Sequence, residues 1–372
     1  MARVMNFNAG PAALPLPALE RAQAELLEYQ GSGMSIMEHS HRGREYEAVH
    51  NEAISLLREL LLVPADYEVL FQQGGASQQF AVVPMNLLPA GGRAAYVLSG
   101  VWGEKALAEG KIVAAMLGGE AIESASSGFG DGKEKSYTNV PHDLNDTGST
   151  YVHITSNETI HGVQFAATPG SDFPPAHSPL VCDMSSDFLW RPIDVSKFGL
   201  IYAGAQKNIG PSGVTVILVR KSLVEKARKD IPKVFQYRVC AENNSLYNTP
   251  PTLGIYLMRN VLVWLKEQGG LPAIEKINRA KSTAIYSAID SSSGFYRGPV
   301  EVPARSSMNV VFRLGSEALE EQFVSEAKKA GMVGLKGHRS VGGIRVSLYN
   351  AVSLAWAEAL ASFMGAFARK NG

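Results

Sequence analysis

Short apolar runs recur along the first two-thirds of the chain, each separated from the next by a stretch of helical spacing. This alternation restricts the fold more than any other feature. The runs are Tyr67–Phe71, Ala94–Leu98, Tyr151–Ile154, Leu180–Asp183, Leu200–Ala203 and Thr215–Val219. Strands that are continuously apolar are buried on both faces, so the pattern predicts an α/β fold with a mainly parallel sheet covered by helices. Helices are predicted over Leu16–Gln30, with Leu26 and Leu27 on its apolar face, and over Glu45–Leu62, which Pro64 and Asp66 end. Thr252–Lys266 predicts a long apolar helix, interrupted by Gly269-Gly270 and Pro272. Beyond it the texture changes: helix Ala273–Ile289, strand Asn309–Leu314, helix Ser316–Ala330, strand Gly343–Leu348 and helix Ser353–Arg369 read as a smaller α+β unit. A length of 372 residues also exceeds one compact core. The expected division is an N-terminal segment 1–15, a large domain 16–268 and a small C-terminal domain 269–372.

Lys and Arg (35) balance Asp and Glu (35), so no excess field exists to hold nucleic acid or an anionic membrane. Affinity for anions must come from a local basic cluster. No apolar run approaches the roughly 20 residues that span a bilayer, and Met1–Pro15 has no apolar core of a signal peptide. A cytoplasmic protein is expected. Cys182 and Cys240 lack the spacing of a disulfide framework or a metal site, and His39-Ser-His41 has no third ligand nearby, so no metal is expected.

The most informative stretch is GLIYAGAQKNIGPSGVTVILV, residues 199–219. It sets Gln206-Lys207-Asn208 between two buried strands, with small residues before and glycines after that leave room for a bulky ligand. Lysine is seldom buried without a partner, and a desolvated amine loses its proton near neutral pH and can attack a carbonyl. Twenty-four residues upstream, Asp183 ends another strand, at the edge where parallel sheets bind ligands. A carboxylate there can hold a protonated pyridine nitrogen, although an Asp at a strand end more often caps a turn. In FQQGGASQQF, residues 71–80, a strand passes through glycines into a helix, with Ser77 as the expected N-cap and free N–H groups suited to phosphate, although such a fragment alone is more often a glycine turn with a serine cap and no ligand. Trp102 follows a further strand end and can stack on a flat ring or serve as plain core.

Together with NFNAGPAALP, SHRGREYE, NTPPT and KGHRSVGGIRVSLYN, these motifs resemble the phosphoserine aminotransferase family, class V among the fold-type I pyridoxal-phosphate enzymes. The likeness runs from Asn6 to Phe367. It implies a large domain that binds pyridoxal 5'-phosphate, with Lys207 linked covalently to the cofactor and acting as the catalytic base. By the same resemblance Asp183 pairs with the ring nitrogen, Trp102 stacks on the ring, and Thr159 bonds the phenolate oxygen. The phosphate rests on Ala76, Ser77 and Gln206, and Asn248 and Thr249 reach it from a neighbouring subunit. The resemblance thus implies a homodimer with a shared active site. Arg345 takes the substrate α-carboxylate, while His338 and Arg339, with His41 and Arg42 from the partner chain, take the distal anion. The implied reaction moves the amino group of L-glutamate to 3-phosphohydroxypyruvate, giving O-phospho-L-serine and 2-oxoglutarate in serine biosynthesis. Some bacterial members also serve pyridoxine synthesis. One departure stands out: Ser77 occupies a position where some members carry a phosphate-binding arginine.

Two other readings compete: another class V enzyme, such as a cysteine desulfurase or an alanine–glyoxylate-type aminotransferase, and a non-catalytic carrier of the cofactor or of phospho-metabolites. A cysteine desulfurase needs a reactive, accessible thiol, and Cys182 sits inside a predicted strand. An alanine–glyoxylate-type aminotransferase has no use for the SHR and GHR clusters. A non-catalytic carrier would not need both Lys207 and Asp183.

Overall fold

The computed structural model describes residues 3–130, 132, 135–165 and 172–372. Strand β1 (Met5–Asn6) precedes helices α1 (Leu16–Glu25) and α2 (Arg44–Leu61). Next come β2 (Tyr67–Gly74), α3 (Ala76–Leu87), β3 (Arg93–Leu98), α4 (Val101–Met116) and β4 (Glu120–Ser126). They are followed by β5 (Val152–Thr155), β6 (Asn157–Glu158), β7 (Val163–Gln164), β8 (Leu180–Asp183), β9 (Leu200–Gly204) and β10 (Gly213–Arg220). Helices α5 (Lys221–Lys226), α6 (Tyr237–Glu242), α7 (Thr252–Glu267) and α8 (Gly270–Asp290) lead to the C-terminal elements. These are β11 (Asn309–Phe312), α9 (Glu317–Lys329), β12 (Met332–Val333), β13 (Ile344–Ser347) and α10 (Leu354–Asn371).

One seven-stranded sheet runs in the order β2-β10-β9-β8-β5-β3-β4. β10 is antiparallel to both its neighbours, and every other pairing is parallel. Six strands therefore point the same way and end on one edge of the sheet, where ligands of such sheets gather. β8 and β9 are buried along their whole length and β10 from Val214 to Val219, as their apolar runs require. Edge strand β4 escapes sequence detection because only Ala121 in it is buried. Helix α1 stops five residues short of the expected Gln30. Leu26 and Leu27 lie beyond its end and are 41% and 87% exposed, so they do not continue its buried face.

Among the described residues two large hydrophobic cores stand out beside two small clusters. The larger surrounds the sheet, and the smaller gathers Phe312, Phe323, Val346 and Leu360. Helix α8 is continuous through Pro272, which lies in its first turn where a missing N–H costs nothing. It sends Leu271 and Ile274 to the larger core and Ile285 and Ile289 to the smaller. The N-terminal segment joins the smaller core: β1 pairs with β12, and Phe7 is fully buried there. Among the described residues no helix is long and apolar enough to cross a membrane.

Candidate active site

Lys207 lies on the turn that follows β9, where the N–H groups of Ile209 and Gly210 both return to the carbonyl of Ala205 (3.2 and 2.9 Å). Among the described residues its ammonium has no hydrogen-bond or ion-pair partner, and it stands 5.1 Å from the centroid of the Trp102 ring. Burial lowers the Lys207 pKa, while the carboxylates of Asp183 and Glu158 oppose that shift. The net effect is an amine that gives up its proton more readily than a surface lysine, as a base or nucleophile requires.

Asp183 is the last residue of β8 and is 5% exposed. Its Oδ1 accepts the N–H of Ser185 at 2.8 Å, and the Ser185 hydroxyl accepts the N–H of Gly204 at 2.9 Å. The carboxylate is thereby fixed relative to the strand that leads to Lys207. Burial raises its pKa, and the Lys207 charge and the Ser185 bonds act against that.

Trp102 sits in the first turn of α4, and its indole Nε1–H donates to Thr159 Oγ1 at 2.9 Å. Thr159 is buried, and its carbonyl accepts Arg345 Nη1–H at 3.3 Å. Lys207, Trp102, Thr159 and Arg345 thus form a connected group, with Asp183 close enough for its charge to act on Lys207.

The turn before α3 differs from expectation in one respect. Gly75, in extended conformation, is the N-cap; Ser77 is the second helical residue and makes no capping bond. The chain needs the glycine before it, since Gly74 has φ +102° and a Cβ there would collide with the Gln78 side chain. With no side-chain cap, the first N–H groups of α3 remain open. A Cβ at Gly204 would lie 3.4 Å from Ala76 N and 2.8 Å from Gln206 Oε1, so the three groups converge on a small space. Gln206 Oε1 is buried without a partner.

A basic cluster borders this group. His338 bonds Ser340 Oγ at 2.7 Å, and burial, together with the charges of Arg345, Lys105 and Arg339, lowers its pKa. Arg339 is exposed. Lys105 was not read from the sequence; its Nζ lies 4.4 Å from the Trp102 ring centroid, one helical turn beyond that residue. The i, i+3 spacing of Trp102 and Lys105 was the available signal. His41, with a buried and unpartnered Nε2, and the exposed Arg42 have no hydrogen bond or ion pair to this group among the described residues. Asn248 and Thr249 are exposed, and the Thr249 carbonyl accepts Gln73 Nε2–H at 2.8 Å beside the turn before α3.

The aminotransferase class-V family model matches residues 4–360, and the chain belongs to that family. Within it, the chain is similar to the phosphoserine aminotransferase of Lysinibacillus sphaericus, at 54% identity over 99% of each chain. The solved phosphoserine aminotransferase of Bacillus circulans subsp. alkalophilus superposes with a TM-score of 0.92 at 54% identity, covering 100% of this chain and 99% of that one. A PLP-bound phosphoserine aminotransferase from Trichomonas vaginalis superposes with a TM-score of 0.90 at 37% identity, covering 97% and 99%.

Proposed function

We propose that the protein is a phosphoserine aminotransferase: it binds pyridoxal 5'-phosphate and transfers the amino group of L-glutamate to 3-phosphohydroxypyruvate. The observation that carries this reading is the unpartnered Lys207 amine beside Trp102 and within the field of Asp183, in a chain 54% identical to phosphoserine aminotransferases. The residues suit the cofactor. Lys207 has a free amine for its aldehyde, and the open start of α3, with the Gln206 side-chain amide beside it to donate, suits its phosphate. By contrast, the start of α4 is already closed by the Glu158 carboxylate.

When bound, the cofactor supplies an aldehyde carbon and a conjugated ring that draws electrons from the substrate α-carbon. The chain supplies the rest. Lys207 Nζ would hold the cofactor and, once the substrate amine takes its place there, would be free to accept the proton of the substrate α-carbon. Asp183 keeps a negative charge at the ring nitrogen, and Trp102 and Thr159 hold the ring plane and its phenolate oxygen. Ala76, Ser77 and Gln206 bind the phosphate, joined by Asn248 and Thr249 of a second copy of the chain.

Arg345 pairs with the α-carboxylate common to both substrates, since a guanidinium matches a carboxylate with two parallel bonds. His338 and Arg339, with His41 and Arg42 of the second copy, receive the distal carboxylate or phosphate. A homodimer in the cytoplasm is part of this reading, as is the division into a large domain 16–268 and a small domain 269–372. Incubation of the cofactor-loaded protein with L-glutamate and 3-phosphohydroxypyruvate tests it. O-phospho-L-serine and 2-oxoglutarate should form in equal amounts, and failure to form either would overturn the assignment.

A further inference from the structure

Glu158 is a fully buried carboxylate that none of the steps above employs. Both of its oxygens are engaged at the start of α4: Oε2 accepts the N–H of Trp102 at 3.0 Å, and Oε1 accepts the N–H of Gly103 at 2.8 Å. The helix has no capping side chain of its own, and its N-cap is Gly100. A Cβ on Gly100 would collide with the Glu158 carboxyl, so the glycine leaves the space that the carboxylate fills. The next residue, Thr159, takes the Trp102 indole N–H. Two consecutive residues therefore grip Trp102, one by its main chain and one by its ring.

In a helix capped locally, a serine hydroxyl at the N-cap would take one of these N–H groups without burying a charge. What a local cap would not do is fix the start of α4 to the strand end that carries Thr159. Burial pushes the Glu158 carboxyl up to about 7 despite its two N–H donors, a measure of how unfavourable the site is for a charge. We infer that Glu158 is a positioning residue: its carboxylate anchors the first turn of α4 and so holds the Trp102 indole in the plane that the cofactor ring stacks on beside Lys207. The inference rests on the reading of this group as a pyridoxal-phosphate site.

The test is a titration of pyridoxal phosphate into cofactor-free protein carrying Glu158→Ala or Glu158→Gln, each alone and combined with Trp102→Ala. Near-ultraviolet circular dichroism of the cofactor-free proteins is recorded alongside. Loss of both acceptors in Glu158→Ala should weaken the cofactor about tenfold, and Glu158→Gln, which keeps one acceptor, should weaken it less. In the Trp102→Ala background the same changes should cost less than about twofold, because residues acting through one contact are not additive. The aromatic dichroism of Glu158→Ala should move toward that of Trp102→Ala. Equal weakening in both backgrounds, or unchanged affinity in the single variants, would overturn the inference; Glu158→Gln decides if the alanine variant does not fold. Wild-type protein that takes up no cofactor would remove the aminotransferase reading and this inference together. Normal uptake with insensitive Glu158 variants would remove this inference alone.

Discussion

The side-chain oxygen of Asn208 accepts the backbone N–H of Asn350 at 2.8 Å, tying the residue next to Lys207 to the segment between β13 and α10. Around this contact the Asn208 amide donates to the Phe188 carbonyl, and the Asn350 amide donates to Leu189. Asn278 of α8 donates to the Asn350 side chain and to the Trp190 carbonyl. One turn further along α8, Lys281 donates to the carbonyls of Leu348, Tyr349 and Val352 at 2.8–3.0 Å. All four side chains are buried, so the lysine turn is held in part by the C-terminal unit.

Asn208→Ala leaves the Asn350 N–H and the Phe188 carbonyl without partners inside the protein. A buried group left unpaired costs about 1–3 kcal/mol, so urea unfolding should show a loss of that size. Turnover should fall as well, because Lys207 loses its fixed neighbour. A variant with wild-type stability and turnover would show that the network does not support the site.

Buried histidines predict how stability responds to acid. Burial pushes His153 down to about 3, and His50 and His161 down to about 4. Their pKa values are lower folded than the ordinary 6.5, so the unfolded chain binds more protons in that window. Stability is then present above pH 6.5 and is lost as pH falls toward the folded values, by about 3 kcal/mol each for His50 and His161 and about 5 kcal/mol for His153 at the low end. Denaturation midpoints of wild type and His153→Phe, measured from pH 7.5 to pH 4.5, should diverge in slope. The variant also loses the 2.8 Å bond to Tyr202, a roughly constant offset. Parallel slopes would mean that His153 charges without resistance in the folded protein.

Arg339 is exposed, and its charge acts on His338. If it receives the distal phosphate, Arg339→Ala should raise KM for 3-phosphohydroxypyruvate about tenfold, with a much smaller change for glutamate. Equal losses for both substrates would place it at the carboxylate they share.

Much of the sheet was legible because its strands are buried on both faces and their sequences are unbroken apolar runs. β4 was not, since an edge strand with one buried side chain carries no such signal. The two-residue strands β1 and β12 are too short for any periodicity, and their pairing joins residues more than 300 positions apart. Lys207 and Asp183 could be singled out only as a pair, as polar groups at the ends of apolar runs, since Asp183 alone reads as a turn cap. Thr159 came only from resemblance to a family, and Glu158 beside it was passed over. Its significance lies in two bonds to a helix start 55 residues away, which no local pattern encodes. Ser77 looked like a cap by composition, but the glycines placed the helix start two residues earlier.

On the proposed function, Lys207 carries pyridoxal phosphate through a cycle between glutamate and a phosphorylated keto acid. The most direct measurement is the visible absorbance of purified wild-type and Lys207→Ala protein after loading with the cofactor, followed by L-glutamate and then 3-phosphohydroxypyruvate. Wild type should show the band of the lysine-linked cofactor, lose it with glutamate and regain it with the keto acid, while Lys207→Ala should never develop it. A wild-type band that ignores both substrates, or the same cycle in Lys207→Ala, would show that Lys207 does not carry the cofactor through this exchange.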